Sequence, residues 1–204
     1  MNSYKSARDI LMKKINTTLP IFPLPVFLLP GGVTKLRIFE PRYLKMVSAA
    51  LSGQGFVIWL QDKKIGANES STSMPWGSWV EIINFDQGDD GILEIDVKCK
   101  SLVSIKNITH DKNNLHFGDV NCIAHWSEIQ VDKVIGELSK SLASVFAENK
   151  SLNDLYPNKG LNDSHWVLAR WIEILPIELN EKNAFVVSYS FKEAKAFVES
   201  VILE

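Results

Sequence analysis

Three charged residues crowd the end of an apolar run: Arg37, Glu40 and Arg42, within Leu36-Arg37-Ile38-Phe39-Glu40-Pro41-Arg42-Tyr43. A guanidinium is a planar fork of donors, so this spacing suits a carboxylate. If these charges pair with each other or with the helix start, they fix the strand-to-helix bend. If the carboxylate is that of a peptide or another acidic group, they form a recognition site. Trp76 and Trp79 flank Gly77 at the end of a polar stretch. Trp79 is expected to face the core. Trp76 is either packing or an exposed aromatic anchor, a common role of aromatics at contact sites. The candidate contact residues are therefore Arg37, Glu40, Arg42 and Trp76.

Other chemistry finds little support. No G-x-x-x-x-G-K-[ST] run occurs, and Gly31-Gly32 precedes a strand rather than a helix, so no loop is built to cradle nucleotide phosphates. The histidines are His110, His116, His125 and His165, none at a metal-ligand spacing. The run from Asp86 to Gly91 echoes a calcium loop, but the bidentate acid at its twelfth position would be Val97. No G-x-S-x-G elbow is present. Cys99 and Cys122 lie in apolar runs outside any C-x-x-C pattern, which reads as two buried thiols in a reducing, cytoplasmic setting. The expectation is no catalytic residue, no cofactor and no metal.

The elements that must position the candidates are of two kinds. Between Leu19 and Trp126 the pattern is strand-like, with Gly55–Leu60, Trp79–Phe85, Ile92–Val97, Leu102–Ile105 and Val120–Ala124 as strands. Asp86–Gly91 and Asp111–Asn114 read as turns, and Asn68–Gly77 as an exposed loop. The opening, LPIFPLPVFLLPGG, carries Pro20, Pro23, Pro25 and Pro30, each without a backbone donor. It reads as a short edge strand, a bend and a glycine turn before a second strand. Pro41 then starts a helix to Leu51, with Leu44, Val47 and Leu51 as its apolar face.

After Trp126 the period lengthens. Val131, Val134, Ile135, Leu138, Leu142, Val145 and Phe146 recur at helical spacing. A polar connection spans Asn149–Ser164. Further helices are expected at His165–Leu175, ended by Pro176, at Asn180–Val187, and from Ser190, where Glu193 completes a capping box. Arg170 and Trp171 read as packing and surface residues. The fold class is α+β: residues 19–126 β-rich, residues 127–204 helical, and residues 1–18 an arm or short helix with Tyr4, Ala7, Leu11 and Ile15 on one face.

Composition bounds the partners. The 204 residues are 46% hydrophobic and 23% charged, with a net charge of −2. Before Trp126 there are 14 basic and 12 acidic residues, and from it 8 and 12. Nothing here calls for nucleic acid or an anionic membrane. No apolar stretch approaches the ~20 residues that cross a bilayer, and the first residues lack a secretory apolar core.

These motifs in this order resemble the N-terminal domain of the Lon ATP-dependent protease, and most closely the small bacterial proteins made of that domain alone. The resemblance rests on LPIFPLPVFLLPGG, LRIFEPRYLKMV, Gly77-Ser-Trp-Val-Glu-Ile-Ile, Asp90-Gly91 with its following strand, Leu175-Pro176-Ile177 and Lys182. It spans about Leu19 to Leu203. It departs where the family carries Gly-x-x-Arg-Phe: the matching positions here hold Cys99, Leu102 and Val103. The resemblance implies a PUA-like pseudo-barrel followed by a helical bundle. It also implies a non-catalytic module that binds unfolded polypeptide or docks a partner protein in proteolysis, without the ATPase and Ser-Lys peptidase parts. An RNA-binding module and a small-molecule pocket in the β-rich part stand as alternatives. The oligomeric state stays open.

Overall fold

Alternating apolar and polar residues build a six-stranded mixed sheet. The computed structural model describes residues 17–51, 53–62, 72–126 and 136–203. Its strands are β1 (Thr17–Leu24), β2 (Val33–Ile38), β3 (Phe56–Asp62), β4 (Thr72–Gln87), β5 (Leu93–His110) and β6 (His116–Ile123). Its helices are α1 (Pro41–Ala50), α2 (Gly136–Glu148), α3 (Lys150–Leu155), α4 (Ser164–Ile174), α5 (Leu179–Ala184) and α6 (Phe191–Ile202). The sheet runs β2-β5-β4-β3-β1-β6, and β5 also pairs with β6. That extra pairing closes β1, β3, β4, β5 and β6 into a ring. The α+β class is therefore observed, with its β part a small closed barrel.

The length of β5 makes the closure possible. Its first residues pair with β2, from Ile38↔Leu93 to Val33↔Lys98. Its later residues pair with β6, from Leu102↔Ile123 to His110↔His116. β2 is thus left as an edge outside the ring. Leu19, Ile21, Val57, Val103 and Val120 form a small buried cluster drawn from β1, β3, β5 and β6. Two glycines make room for it. A Cβ on Gly77 would come within 2.6 Å of Val57, and one on Gly118 within 2.6 Å of Ile21.

The proline-rich strand is not an edge. β1 lies between β3 and β6. It tolerates proline because it changes partner along its length. Residues Thr17–Ile21 pair with β6, whereas Ile21–Leu24 pair with β3. Pro20 lies in the part paired only with β6 and Pro23 in the part paired only with β3, so each sits where one side of the strand has no strand neighbour among the described residues. The turn that follows is held to the sheet: Gly31, at φ +80°, donates its N–H to Cys99 O at 2.9 Å, and Cys99 N–H donates to Gly32 O at 2.8 Å.

Other expectations shift by physical detail. α1 buries Tyr43, Met46, Val47 and Ala50, while Leu44 and Leu51 face solvent. The stripe is rotated because Tyr43 packs on Phe22, with ring centroids 4.2 Å apart. Residues 72–77, read as loop, belong to β4, and the stretches 92–97 and 102–105 are one continuous strand. The connection after α2 holds a short helix, α3, started by Asn149, whose side chain accepts from Leu152 N–H. Ser190 precedes α6 but makes no side-chain cap. Its hydroxyl instead donates to Val187 O and accepts from the Trp126 indole at 3.1 Å. Cys99 is buried as expected, but Cys122, near the end of β6, is exposed. Residues 1–16, and Val131, Val134 and Ile135, lie outside the described residues. Among the described residues no helix is long and apolar enough to cross a membrane.

Candidate functional site

The segments Phe22–Leu28 and Val33–Phe39 leave and re-enter the sheet around the Gly31-Gly32 turn, and two cavities lie between them. One, of about 420 Å³, is lined by Phe22, Pro23, Leu24, Arg37, Phe39, Glu40, Arg42, Tyr43, Gln61 and His116. The other, of about 230 Å³, is lined on the same two segments by Val26, Phe27, Leu28, Val33 and Thr34. Leu152 and Leu155 of α3, then Tyr156, Arg170, Glu173 and Ile174, close its far side. The strip of surface along these two segments, from one cavity to the other, is the candidate groove.

The rim at the larger end carries three of the four sequence candidates. Arg42 pairs with Glu40 at 2.7 Å and donates to Asn114 O at 3.2 Å, tying the start of α1 to the β5–β6 turn. Arg37 pairs with Asp90, and with Glu94 at 3.5 Å. The Arg37 bond holds the Asp90 carboxyl below the usual carboxylate range. Phe39 is 68% exposed at the mouth. Burial, with Arg42 and His110 nearby, lowers the pKa of His116.

Trp76 sits elsewhere. It is 5% exposed, so of its two readings packing describes it. Its indole donates to Asn183 Oδ1 at 2.7 Å, and its ring meets Phe27 edge-on at 5.7 Å. It therefore backs the Phe27 wall of the groove from inside. Trp79, expected in the core, is half-buried; it packs against the barrel cluster and donates to Gln54 O at 2.7 Å.

The base of the smaller end is a buried ion pair that the sequence reading placed among packing and surface residues. Arg170 is 1% exposed and meets Glu173 through both Nε and Nη2, each at 2.7 Å. Glu173 also accepts Leu29 N–H at 2.6 Å, and Arg170 Nη2 donates to Leu29 O and Pro30 O, each at 3.3 Å. The proline loop is thus bolted to α4. Tyr156 adds a second bolt: its hydroxyl accepts Val33 N–H at 2.8 Å and donates to Val33 O at 3.3 Å. Burial pushes the Tyr156 phenol up to about 12, so it stays a donor. One signal for this node was available. Arg170 interrupts the run Val167-Leu168-Ala169-Arg170-Trp171-Ile172, and a charge inside an apolar helix requires a partner, which Glu173 supplies one turn on.

A third cavity, of about 370 Å³, is lined by Pro30 and Gly31 of the turn together with His125, Trp126, Asp163, His165, Trp166 and Ala169. His125 stacks on Trp126 with centroids 4.2 Å apart, and its Nδ1 is 3.0 Å from Val186 O. Burial lowers the pKa of His125 to about 4. Among the described residues no group of His, Cys, Asp and Glu could hold a metal ion.

The architecture is a closed barrel with β2 at its edge, a helical layer packed on it, and cavities along the segments Phe22–Leu28 and Val33–Phe39. The chain belongs to the family of the ATP-dependent protease La (LON) substrate-binding domain, whose model matches residues 18–189. It is similar to the Lon N-terminal domain protein from Xanthomonas campestris, with 25% identity and a TM-score of 0.66 over 89% of this chain and 98% of that one. It shares its fold with the N-terminal domain of the Mycobacterium avium complex Lon protease, at 11% identity and a TM-score of 0.58 over 92% and 99% of the two chains. A search of curated proteins returned no match.

Proposed function

We propose that the chain is a non-catalytic polypeptide-binding module, acting in the cytoplasm as a partner in proteolysis or its regulation, and that the groove between Phe22–Leu28 and Val33–Phe39 is where it binds. The observation that carries this reading is Phe39: a large apolar side chain 68% exposed beside an aromatic-lined cavity of about 420 Å³. Its place beside a cavity that also presents Phe22 and Tyr43 supports a contact role, since aromatic side chains commonly lead at binding sites. The substrate-binding family supports the same reading.

The charges around the groove specify a supporting role. Arg37, Arg42 and Lys35 each already hold an acid of the chain. They keep the β2-to-α1 bend in shape and leave the groove close to neutral. Apolar contact then supplies most of the affinity, at roughly 25 cal/mol per Å² buried. The test is retention of a permanently unfolded, fluorescently labelled polypeptide by the wild-type chain and by Phe39→Asp. Loss of retention in the variant, with unchanged unfolding by denaturant, is the expected result. Equal retention by both rejects the groove.

A further inference from the structure

The outer edge of β2 carries open backbone groups in a defined register. Cys99 N–H donates to Gly32 O, a bond just beyond the Val33↔Lys98 end of the β2–β5 ladder. In an antiparallel ladder bonded and non-bonded pairs alternate. The next pair, Val33↔Lys98, is therefore non-bonded, and Val33 turns its N–H and C=O away from β5. Tyr156 confirms this independently by taking both groups of Val33 on the outer side. The same period turns the N–H and C=O of Lys35 and Arg37 outward, where β2 has no strand neighbour among the described residues.

Residues on either side of Lys35 line the two cavities. Val33 and Thr34 line the smaller cavity, and Arg37 and Phe39 the larger one. The other lining segment, Phe22–Leu28, contains Pro23 and Pro25 in its sequence, which have no N–H to offer a competing pairing. The cavities sit about four β2 residues apart, roughly 13 Å at the rise of a strand. The cations on this edge are already neutralised: Lys35 by Glu94 and Asp96 at 3.5 and 3.2 Å, Arg37 by Asp90 and Glu94.

We infer that β2 takes up an extended, uncharged polypeptide segment as an added strand, bonded to the backbone of Lys35 and Arg37, with apolar side chains four residues apart entering the two cavities. This rests on the proposed polypeptide binding and adds its geometry. Main-chain bonding explains how one site accepts many sequences, and the two cavities set the preferred spacing. Tyr156 fixes the register by closing the position before Lys35.

The test uses the full chain and a labelled nine-residue probe peptide, neutral and capped, with leucines at positions 3 and 7 and threonine and serine elsewhere. It is compared with two N-methylated versions, one methylated at odd positions and one at even positions. Binding is read by fluorescence anisotropy. One methylated set is expected to lose at least tenfold in affinity and the other to bind within about twofold of the parent, since only alternate amides meet β2. Lys35→Pro, which removes an outward donor at an edge position where proline is tolerated, is expected to weaken the parent peptide about tenfold. Equal effects of the two methylated sets overturn strand addition while leaving polypeptide binding standing. Failure of wild type to bind either the peptide or the unfolded reporter overturns both. Concentration-dependent dimerisation lost in Lys35→Pro assigns the edge to a second copy of this chain and overturns the proposal. Tighter binding of an otherwise identical peptide with glutamates in place of the leucines assigns it to an acidic ligand and does the same.

Discussion

Arg170–Glu173 and Arg42–Glu40 are both arginine–glutamate pairs closed at 2.7 Å, yet their surroundings differ: side-chain exposures are 1% and 11% for the first, 30% and 40% for the second. The buried pair lies under the proline loop and also holds its backbone through Leu29 and Pro30. The rim pair lies where water competes for each charge. The same chemistry therefore fixes one end of the groove and merely trims the other. Burial, rather than the identity of the pair, decides which arginine the fold depends on.

The largest expected effect is at the buried pair. Arg170→Leu strands the Glu173 carboxylate and is expected to cost about 3–5 kcal/mol. The double variant Arg170→Leu/Glu173→Leu should recover most of that loss, because it removes both charges together. Denaturant unfolding of the two single variants and the double one measures the coupling. A loss in Arg170→Leu of the size typical of surface changes would show that the node does not hold the loop.

Acid should act next. His125 has a folded-state pKa of about 4 because burial disfavours its charged form. The unfolded state, near 6.5, then binds more protons between those values, so stability rises with pH across that window. Its contribution is full above about 6.5 and falls as pH drops toward 4, by roughly 3 kcal/mol in all. Unfolding at pH 7.5 and pH 4.5 checks this. His125→Gln should flatten the difference, whereas Arg42→Gln at the rim should leave it in place.

Tyr156→Phe removes both bonds to Val33 and is expected to cost about 1–2 kcal/mol, since the Val33 groups are left in a buried site. The smallest effect belongs to the rim. Glu40→Gln should change stability by less than about 0.5 kcal/mol, and its effect should shrink further in high salt.

The sequence was most readable where a residue's neighbours along the chain determine its place. Alternation from Leu36 to Ile38 and from Ile92 to Val97 marked strands, and Pro41 and Pro176 marked a helix start and a helix end. It was least readable where distant segments decide. That β1 changes partner at Ile21, and so accommodates Pro20 and Pro23 inside the sheet, depends on where β3 and β6 dock. The rotation of α1 depends on Phe22 reaching Tyr43. Of the candidate contacts, Arg37, Glu40 and Arg42 do meet at one cavity. Trp76 serves that groove from behind, through Phe27. Phe39 escaped notice because it follows the buried Ile38 directly, and only its surroundings show that it points into solvent.

Phe39 is the proposed contact for polypeptide, and the buried Arg170–Glu173 node holds the loop beside it. Titrating a labelled unfolded polypeptide into wild type, Phe39→Asp and Arg42→Gln by fluorescence anisotropy, with the unfolding free energy of each measured in parallel, tests this directly. The prediction is a loss of at least tenfold in affinity for Phe39→Asp, a change within about threefold for Arg42→Gln, and the same stability for all three to within about 0.5 kcal/mol. Undiminished binding by Phe39→Asp at unchanged stability would contradict it.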